Sequence, residues 1–341
     1  MQERDRHIAV AFNSTLFKMS SLLDDSAAMA SVPHKILVVG ATGQQGGAVL
    51  AELAHLAPTT SALLSRETKI LVLTRSAVKA QSVIEKYGQL LNLEIVEGDT
   101  RNPGPIFAAH GDIDAIFALT TMPAREEEEQ ARDLITSAAR HGVRHFVYSS
   151  VERGGDDRSW ENPTNVPHFV TKHNIEHHLR NVCTENPSMK YTILRPVAFM
   201  DNLNPTSPFG PIMAALWATM PNDTKLQVVS VRDIGVFAVK ALLHPHKFEN
   251  RALGLAGDEL TLLDVRATYR RVAGLQLPQA WTIVGYAMRW MVEEIGSMFT
   301  FFEKEGYHVD IRKLRSEEPR LQDFETWLKE SSKFECGLGK K

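Results

Sequence analysis

From Lys35 onward, short apolar runs alternate with longer amphipathic stretches. Ile36-Leu37-Val38-Val39 reads as a buried strand that ends in glycines. Further strand-like runs follow at Lys69 to Thr74, Leu93 to Val96, Ile113 to Leu119, His145 to Tyr148 and Tyr191 to Leu194, the last stopped by Pro196. Between them, Ala48 to Leu56, Ala77 to Tyr87, Arg125 to His141 and Phe169 to Cys183 carry helical periodicity. Strands alternating with helices predict a parallel sheet covered on both faces. Right-handed crossovers make that sheet doubly wound.

The pattern changes after Pro196. Asn204 to Pro221 holds four prolines, at positions 205, 208, 211 and 221, and reads as irregular chain with one helix near Met213 to Thr219. Leu226 to Val231 then predicts a strand and Asp233 to Leu243 a helix, both returning to the main sheet. Ala252 to Ala256 is strand-like, Leu262 to Val272 helical, and Met288 to Glu305 one long apolar helix rich in Met and Phe. The expected organisation is a tail over 1–33, a Rossmann domain over 34–200, a smaller, mostly helical domain over 201–330, and a tail over 331–341.

Composition narrows the class. The 341 residues are 43% hydrophobic and 23% charged, ordinary values for a globular protein. Thirty-eight basic residues against 41 acidic ones give a net charge of −3, with no basic stripe. Direct nucleic-acid binding is therefore not expected. Cys183 and Cys336 are too few for a disulfide framework, which suits a reducing compartment. No apolar run approaches the ~20 residues that span a bilayer. The expected location is the cytoplasm, with the nucleus a second compartment. Residues 1–33 fit a secretory signal poorly, and Glu3, Asp5, Asp24 and Asp25 oppose a mitochondrial transit peptide. They read as a loose tail, with translation starting at Met19 or Met29.

Candidate chemistry begins at Gly40-Ala41-Thr42-Gly43-Gln44-Gln45-Gly46-Gly47, between the first strand and the first helix. Gly40, Gly43 and Gly46 suit a tight turn, backbone approach to a pyrophosphate and close helix–strand contact. The helix N-terminus behind them offers free N–H groups to that anion. An NAD site places an acid at the end of the second strand, but this chain has Thr74-Arg75. Arg75 is a planar cation suited to a 2′-phosphate, so NADP is expected over NAD. Asp99, after the third strand, either holds the adenine amino group or caps a helix. Thr120-Thr121-Met122 follows the fourth strand, where the nicotinamide ribose would lie. The acidic run Glu126 to Glu129 reads as a solvated complement to a helix dipole.

These segments, with His168-Phe169-x-x-Lys172, Leu194-Arg195-Pro196 and Phe199-Met200-Asp201-Asn202, resemble the NmrA-like proteins, atypical members of the short-chain dehydrogenase superfamily. The likeness runs from about Lys35 to Leu328. It implies an NADP-binding Rossmann domain and a smaller C-terminal domain. Some members are redox sensors and transcription co-regulators that bind NADP without turnover, while relatives reduce quinones or aryl ethers. By that similarity, cofactor contacts fall on Gly40, Ala41, Thr42, Gly43, Gln44, Gln45, Gly46, Thr74, Arg75, Ser76, Asp99, Thr100, Thr120, Thr121, Met122, Lys172, Phe199, Met200, Asp201 and Asn202.

The usual superfamily site resembles Ser…Tyr-x-x-x-Lys, with Tyr as the acid. Ser149 or Ser150 keeps the serine and Lys172 the lysine, but the tyrosine position is His168. His168 either donates the proton or is a helix-start residue contacting backbone. His173, His177 and His178 share a helix and read as a solvated face, with no metal expected. Two functions follow. The first is an NADP(H)-binding redox sensor whose bound state recruits a protein partner such as a transcription factor. The second is an NADPH-dependent reductase of a small aromatic, quinone or enone substrate. The latter is favoured if Trp217, Phe299, Phe301 and Phe302 line a cavity.

Overall fold

The computed structural model describes residues 32–58, 68–120, 124–204 and 206–332. Most of both expected tails therefore lies outside the described residues. Seven parallel strands form the main sheet: β1 Lys35–Val39, β2 Lys69–Thr74, β3 Asn92–Glu97, β4 Ala115–Leu119, β5 His145–Ser149, β6 Lys190–Pro196 and, later in the chain, β9 Arg251–Leu255. Their order is β3-β2-β1-β4-β5-β6-β9. Central strands are buried almost throughout, which is why their sequences read as continuous apolar runs rather than alternating ones. Ile36, Val38, Ile70, Val72 and Phe117 face one core layer, and Leu37, Val39, Leu71, Leu73 and Ile116 face the other. The doubly wound α/β fold expected from the sequence is present.

The helix Gln44–Leu56 begins four residues earlier than its periodicity predicts, because the glycine loop itself enters the first turn. It packs on the helix Val231–Leu243, which is buried along nearly its whole length. A Cβ on Gly235 would lie 2.6 Å from the carbonyl of Ala48, so glycine sets how closely these helices approach.

Two expectations for the C-terminal part are corrected. Of the 226–243 pair, the helix Val231–Leu243 packs against β4, β5 and β6 of the main sheet as expected, but the strand does not join that sheet. The strand β8 (Leu226–Val229) instead joins a second sheet, parallel to β7 (Ala198–Phe199) and antiparallel to β10 (Asp258–Leu260). The seventh main-sheet strand is β9, which pairs with β6 from Thr192↔Arg251 to Pro196↔Leu255. The single helix expected over 288–305 is two, Thr282–Met291 and Glu293–Lys304. Val292 breaks it with an extended backbone (φ −115°, ψ 101°), and its branched side chain suits that conformation. At the end of the described residues, Ser331 and Ser332 still donate backbone N–H groups to Trp327. Among the described residues, no helix is long and apolar enough to cross a membrane.

Candidate active site

Strand order reverses between β1 and β4, and the crevice outside the carboxyl ends of such strands is where ligands bind in this fold. A cleft of about 400 Å³ lies there. Gly40, Thr42, Thr74, Arg75, Ser76, Asp99, Thr100 and Thr120 line it, together with Lys79 and Arg101. Gly46 is buried below, where an added Cβ would meet the Gly40 carbonyl at 2.3 Å. The N-cap Gly43 brings no capping side chain, and the first turn of Gln44–Leu56 holds no acid. Its N–H groups and partial positive charge therefore remain available to an anion.

Asp99 neither caps a helix nor stands free. One carboxylate oxygen accepts the Arg101 backbone N–H at 3.0 Å, and the other accepts from the Arg101 guanidinium at 2.9 and 2.5 Å. That contact, aided by Arg75, holds its carboxyl below the usual range. Arg75, Lys79 and Arg101 thus collect positive charge at the outer end of the cleft.

At the inner end, Thr120 also lines a second cavity, of about 270 Å³. Lys172 sits at this junction on the helix Pro167–Glu185. Its ammonium donates to Glu127 at 2.8 Å and to Thr120 at 3.2 Å, while the Thr120 hydroxyl donates to the same carboxylate at 2.5 Å. Burial opposes the Lys172 charge, but Tyr148 and Glu127 outweigh it and raise its pKa. The acidic run is therefore not uniformly solvated. The packing of the helix turns Glu127 inward, with its side chain 1% exposed, while Glu126 and Glu129 stay exposed.

The second cavity is mostly apolar. Phe169, Phe199, Met213, Trp217, Leu226, Val228, Met298, Phe302 and Tyr307 contribute walls, with Gln45, Ser150, His168, Lys172 and Asn202 as polar points. Of the aromatic residues singled out in the sequence, Trp217 and Phe302 line it. Phe299 and Phe301 pack in the core instead. The Trp217 indole N–H is buried without a hydrogen-bond partner among the described residues. Below this wall Ser150 donates to Glu176 at 2.5 Å, and that carboxylate is clamped by Arg153 and Arg195, all three charges fully buried. Burial opposes the Glu176 charge, but the two guanidinium groups outweigh it and lower its pKa.

A family model, the NmrA-like family, matches residues 33–328. The chain belongs to the NmrA-like family. The NAD(P)H azoreductase of Xenophilus azovorans is 27% identical over 242 residues, 70% of this chain and 74% of that one. The fold is similar to the NADPH-dependent quinone oxidoreductase of Escherichia coli solved with NADPH, with a TM-score of 0.64, 18% identity and 85% of this chain and 96% of that chain covered. It is also similar to NmrA, a negative transcriptional regulator solved with NADP, with a TM-score of 0.61, 18% identity and coverage of 88% and 95%. The proteins it is similar to thus include both reductases and a regulator.

Within this NmrA-like chain, the expected site residues divide by location. Gln45, Thr120, Lys172, Phe199 and Asn202 meet at the apolar cavity. Gln45 also accepts from the Ser149 hydroxyl at 2.5 Å. Ala41 is buried in the core, and Gln44 is exposed outside both cavities. Met200 is fully buried, and Asp201 accepts the backbone N–H of Val231 at 2.9 Å. Neither lines the cleft or the cavity, because the turn Met200–Leu203 rotates them away from Phe199 and Asn202. Thr121 and Met122 lie outside the described residues. His173 and His177 are not a solvated pair, since each turns Nε2 to the Trp160 carbonyl, at 3.0 and 2.9 Å. Cys183 is buried, and burial pushes its thiol up to about 12. Sequence reasoning missed Lys79, Arg101, Glu127 and Glu294. Lys79 and Arg101 were legible as charges beside Arg75 and Asp99, whereas nothing near His168 in sequence points to Glu294.

Proposed function

We propose that this protein is an NADPH-dependent reductase of a small, largely apolar acceptor such as a quinone or enone. One observation carries the reading: Thr120 joins a cation-edged cleft at the Rossmann switch point to an aromatic-walled cavity. The loop from Gly40 to Gly46 and the helix N-terminus would hold the pyrophosphate. Arg75, with Lys79 and Arg101 beside it, would take the 2′-phosphate. Lys172 and Thr120 would hold the nicotinamide ribose. When bound, the cofactor supplies a hydride. The chain supplies the pocket that keeps water from the acceptor and orients it beside Lys172.

The regulator reading rests on a different observation, that the acid position of the superfamily is His168 rather than Tyr. Calorimetric titration with NADPH, followed by NADPH oxidation with quinones, enones, ketones and azo compounds, separates the two. Expected are tight NADPH binding and oxidation with quinones or enones. Tight binding with no oxidation by any acceptor overturns the reductase reading in favour of the regulator.

A further inference from the structure

His168 lies in the first turn of the helix Pro167–Glu185 and lines the apolar cavity. Glu294, 126 residues later, reaches it from the first turn of Glu293–Lys304. One Glu294 oxygen accepts the His168 backbone N–H at 3.1 Å and also contacts the imidazole Nδ1. The two side chains are 20% and 22% exposed, so solvent screens this pair incompletely. Nε2 has no hydrogen-bond partner among the described residues. A carboxylate on Nδ1 selects the tautomer with hydrogen on that nitrogen. Any further proton must then sit on Nε2, the nitrogen left for the cavity.

We propose that Glu294 is a positioning residue that makes His168 the proton donor to the reduced acceptor. The inference rests on the reductase reading. In the step, the hydride leaves the dihydronicotinamide ring, which becomes the oxidised nicotinamide. It forms a C–H bond at the acceptor's β-carbon, and the displaced electron pair moves through the conjugated system onto the carbonyl oxygen. That oxygen takes the Nε2 proton of the imidazolium, and neutral His168 regains a proton from solvent. The net balance is enone, NADPH and one proton giving reduced product and NADP⁺. Glu294 orients the ring and stabilises its charged form, much as a carboxylate on Nδ1 supports histidine in other acid–base sites.

The charged groups facing His168 are Glu294 from Glu293–Lys304, Lys172 from its own helix and Glu127 from Ala124–Arg140. Burial lowers the His168 pKa below 6.5, and Glu294 opposes that lowering. The imidazolium fraction therefore falls as pH rises through this lowered value. Replacing Glu294 by an uncharged group moves the fall to still lower pH.

The test uses the full chain. Ring ¹⁵N NMR of the ligand-free protein should show His168 protonated at Nδ1 when neutral, with a pKa below 6.5. Glu294→Gln should lower that pKa further, and Glu294→Asp should restore part of the difference. The NMR spectra also report whether each variant is folded. With NADPH and an enone, kcat should fall about tenfold per pH unit above the His168 pKa, and Glu294→Gln should move that limb to lower pH. His168→Phe should remove the limb and about 10²–10⁴-fold of kcat while NADPH affinity holds. An unchanged His168 tautomer and pKa in Glu294→Gln overturns the inference. So does enone turnover whose pH profile is unmoved by Glu294→Gln, and this result leaves the reductase reading standing. NADPH binding without turnover of any acceptor defeats both.

Discussion

The switch-point cleft and the apolar cavity meet at Thr120, yet they are built in opposite ways. The cleft comes from chain ends of consecutive parallel strands, so its residues fall in short runs: Gly40 and Thr42, Thr74 to Ser76, and Gly98 to Arg101. The fold fixes where those runs must be. The cavity instead takes walls from β7, β8 and the helices Gly210–Trp217, Pro167–Glu185 and Glu293–Lys304. No strand topology fixes that set, and a different C-terminal layer could enclose a different volume over the same cleft. The comparison teaches that strand topology alone places the cleft, whereas the cavity depends on how the layer after Pro196 packs over it.

The largest expected effect on cofactor binding separates the two regions at Gly46. All three atoms that an added Cβ would strike, the carbonyl oxygen and carbon of Gly40 and the nitrogen of Ala41, are backbone and cannot swing aside. Gly46→Ala must therefore shift the loop, at an overpacking cost of about 1–3 kcal/mol. NADPH binding should weaken about 10- to 100-fold by calorimetry. Wild-type affinity in this variant would show that the loop is not where the cofactor's phosphates lie.

Next in size is Arg75→Ala. Arg75 is exposed, so its contribution is screened and should be about tenfold in NADPH affinity. NADH affinity should not move, and the NADPH penalty should shrink as salt is raised. Lys79 and Arg101 remain in the variant, which is why selectivity should fall without vanishing. Equal affinity of the wild type for NADH and NADPH would remove this assignment altogether.

The same contrast explains what could be read in the sequence. The doubly wound parallel sheet follows from alternating periodicities and right-handed crossovers, and the glycine run marks its first turn, but β9 as its seventh strand does not follow from them. The placement of β8 escaped because a four-residue apolar strand pairs equally well with either sheet. The break at Val292 escaped because the apolar periodicity runs straight through it. Glu127 was hidden inside a run of four glutamates, where the sequence does not say which one faces inward. Glu294 meets His168 only through the packing of two distant helices. In each case the deciding information is tertiary, and it concentrates on the cavity side.

The smallest expected effect concerns Trp217, where the cavity carries a feature that local packing does not explain. Its indole N–H is buried with no acceptor among the described residues, and the residue is only 3% exposed. An orphaned buried donor costs about 1–3 kcal/mol. Trp217→Phe removes that donor but leaves a void, and large-to-small changes in a packed wall cost a similar amount. Denaturant unfolding should therefore change by no more than about 1 kcal/mol, because the two terms oppose. Acceptor binding should respond differently. If a carbonyl oxygen of the acceptor takes the indole N–H, losing that neutral hydrogen bond raises KM by a few-fold, about 1 kcal/mol, at nearly constant kcat. A purely hydrocarbon surface offers no such partner, so the KM change should appear with quinones or enones and be absent for NADPH. A drop in stability of several kcal/mol with unchanged KM would make Trp217 packing alone, and would leave acceptor recognition to Lys172 and His168.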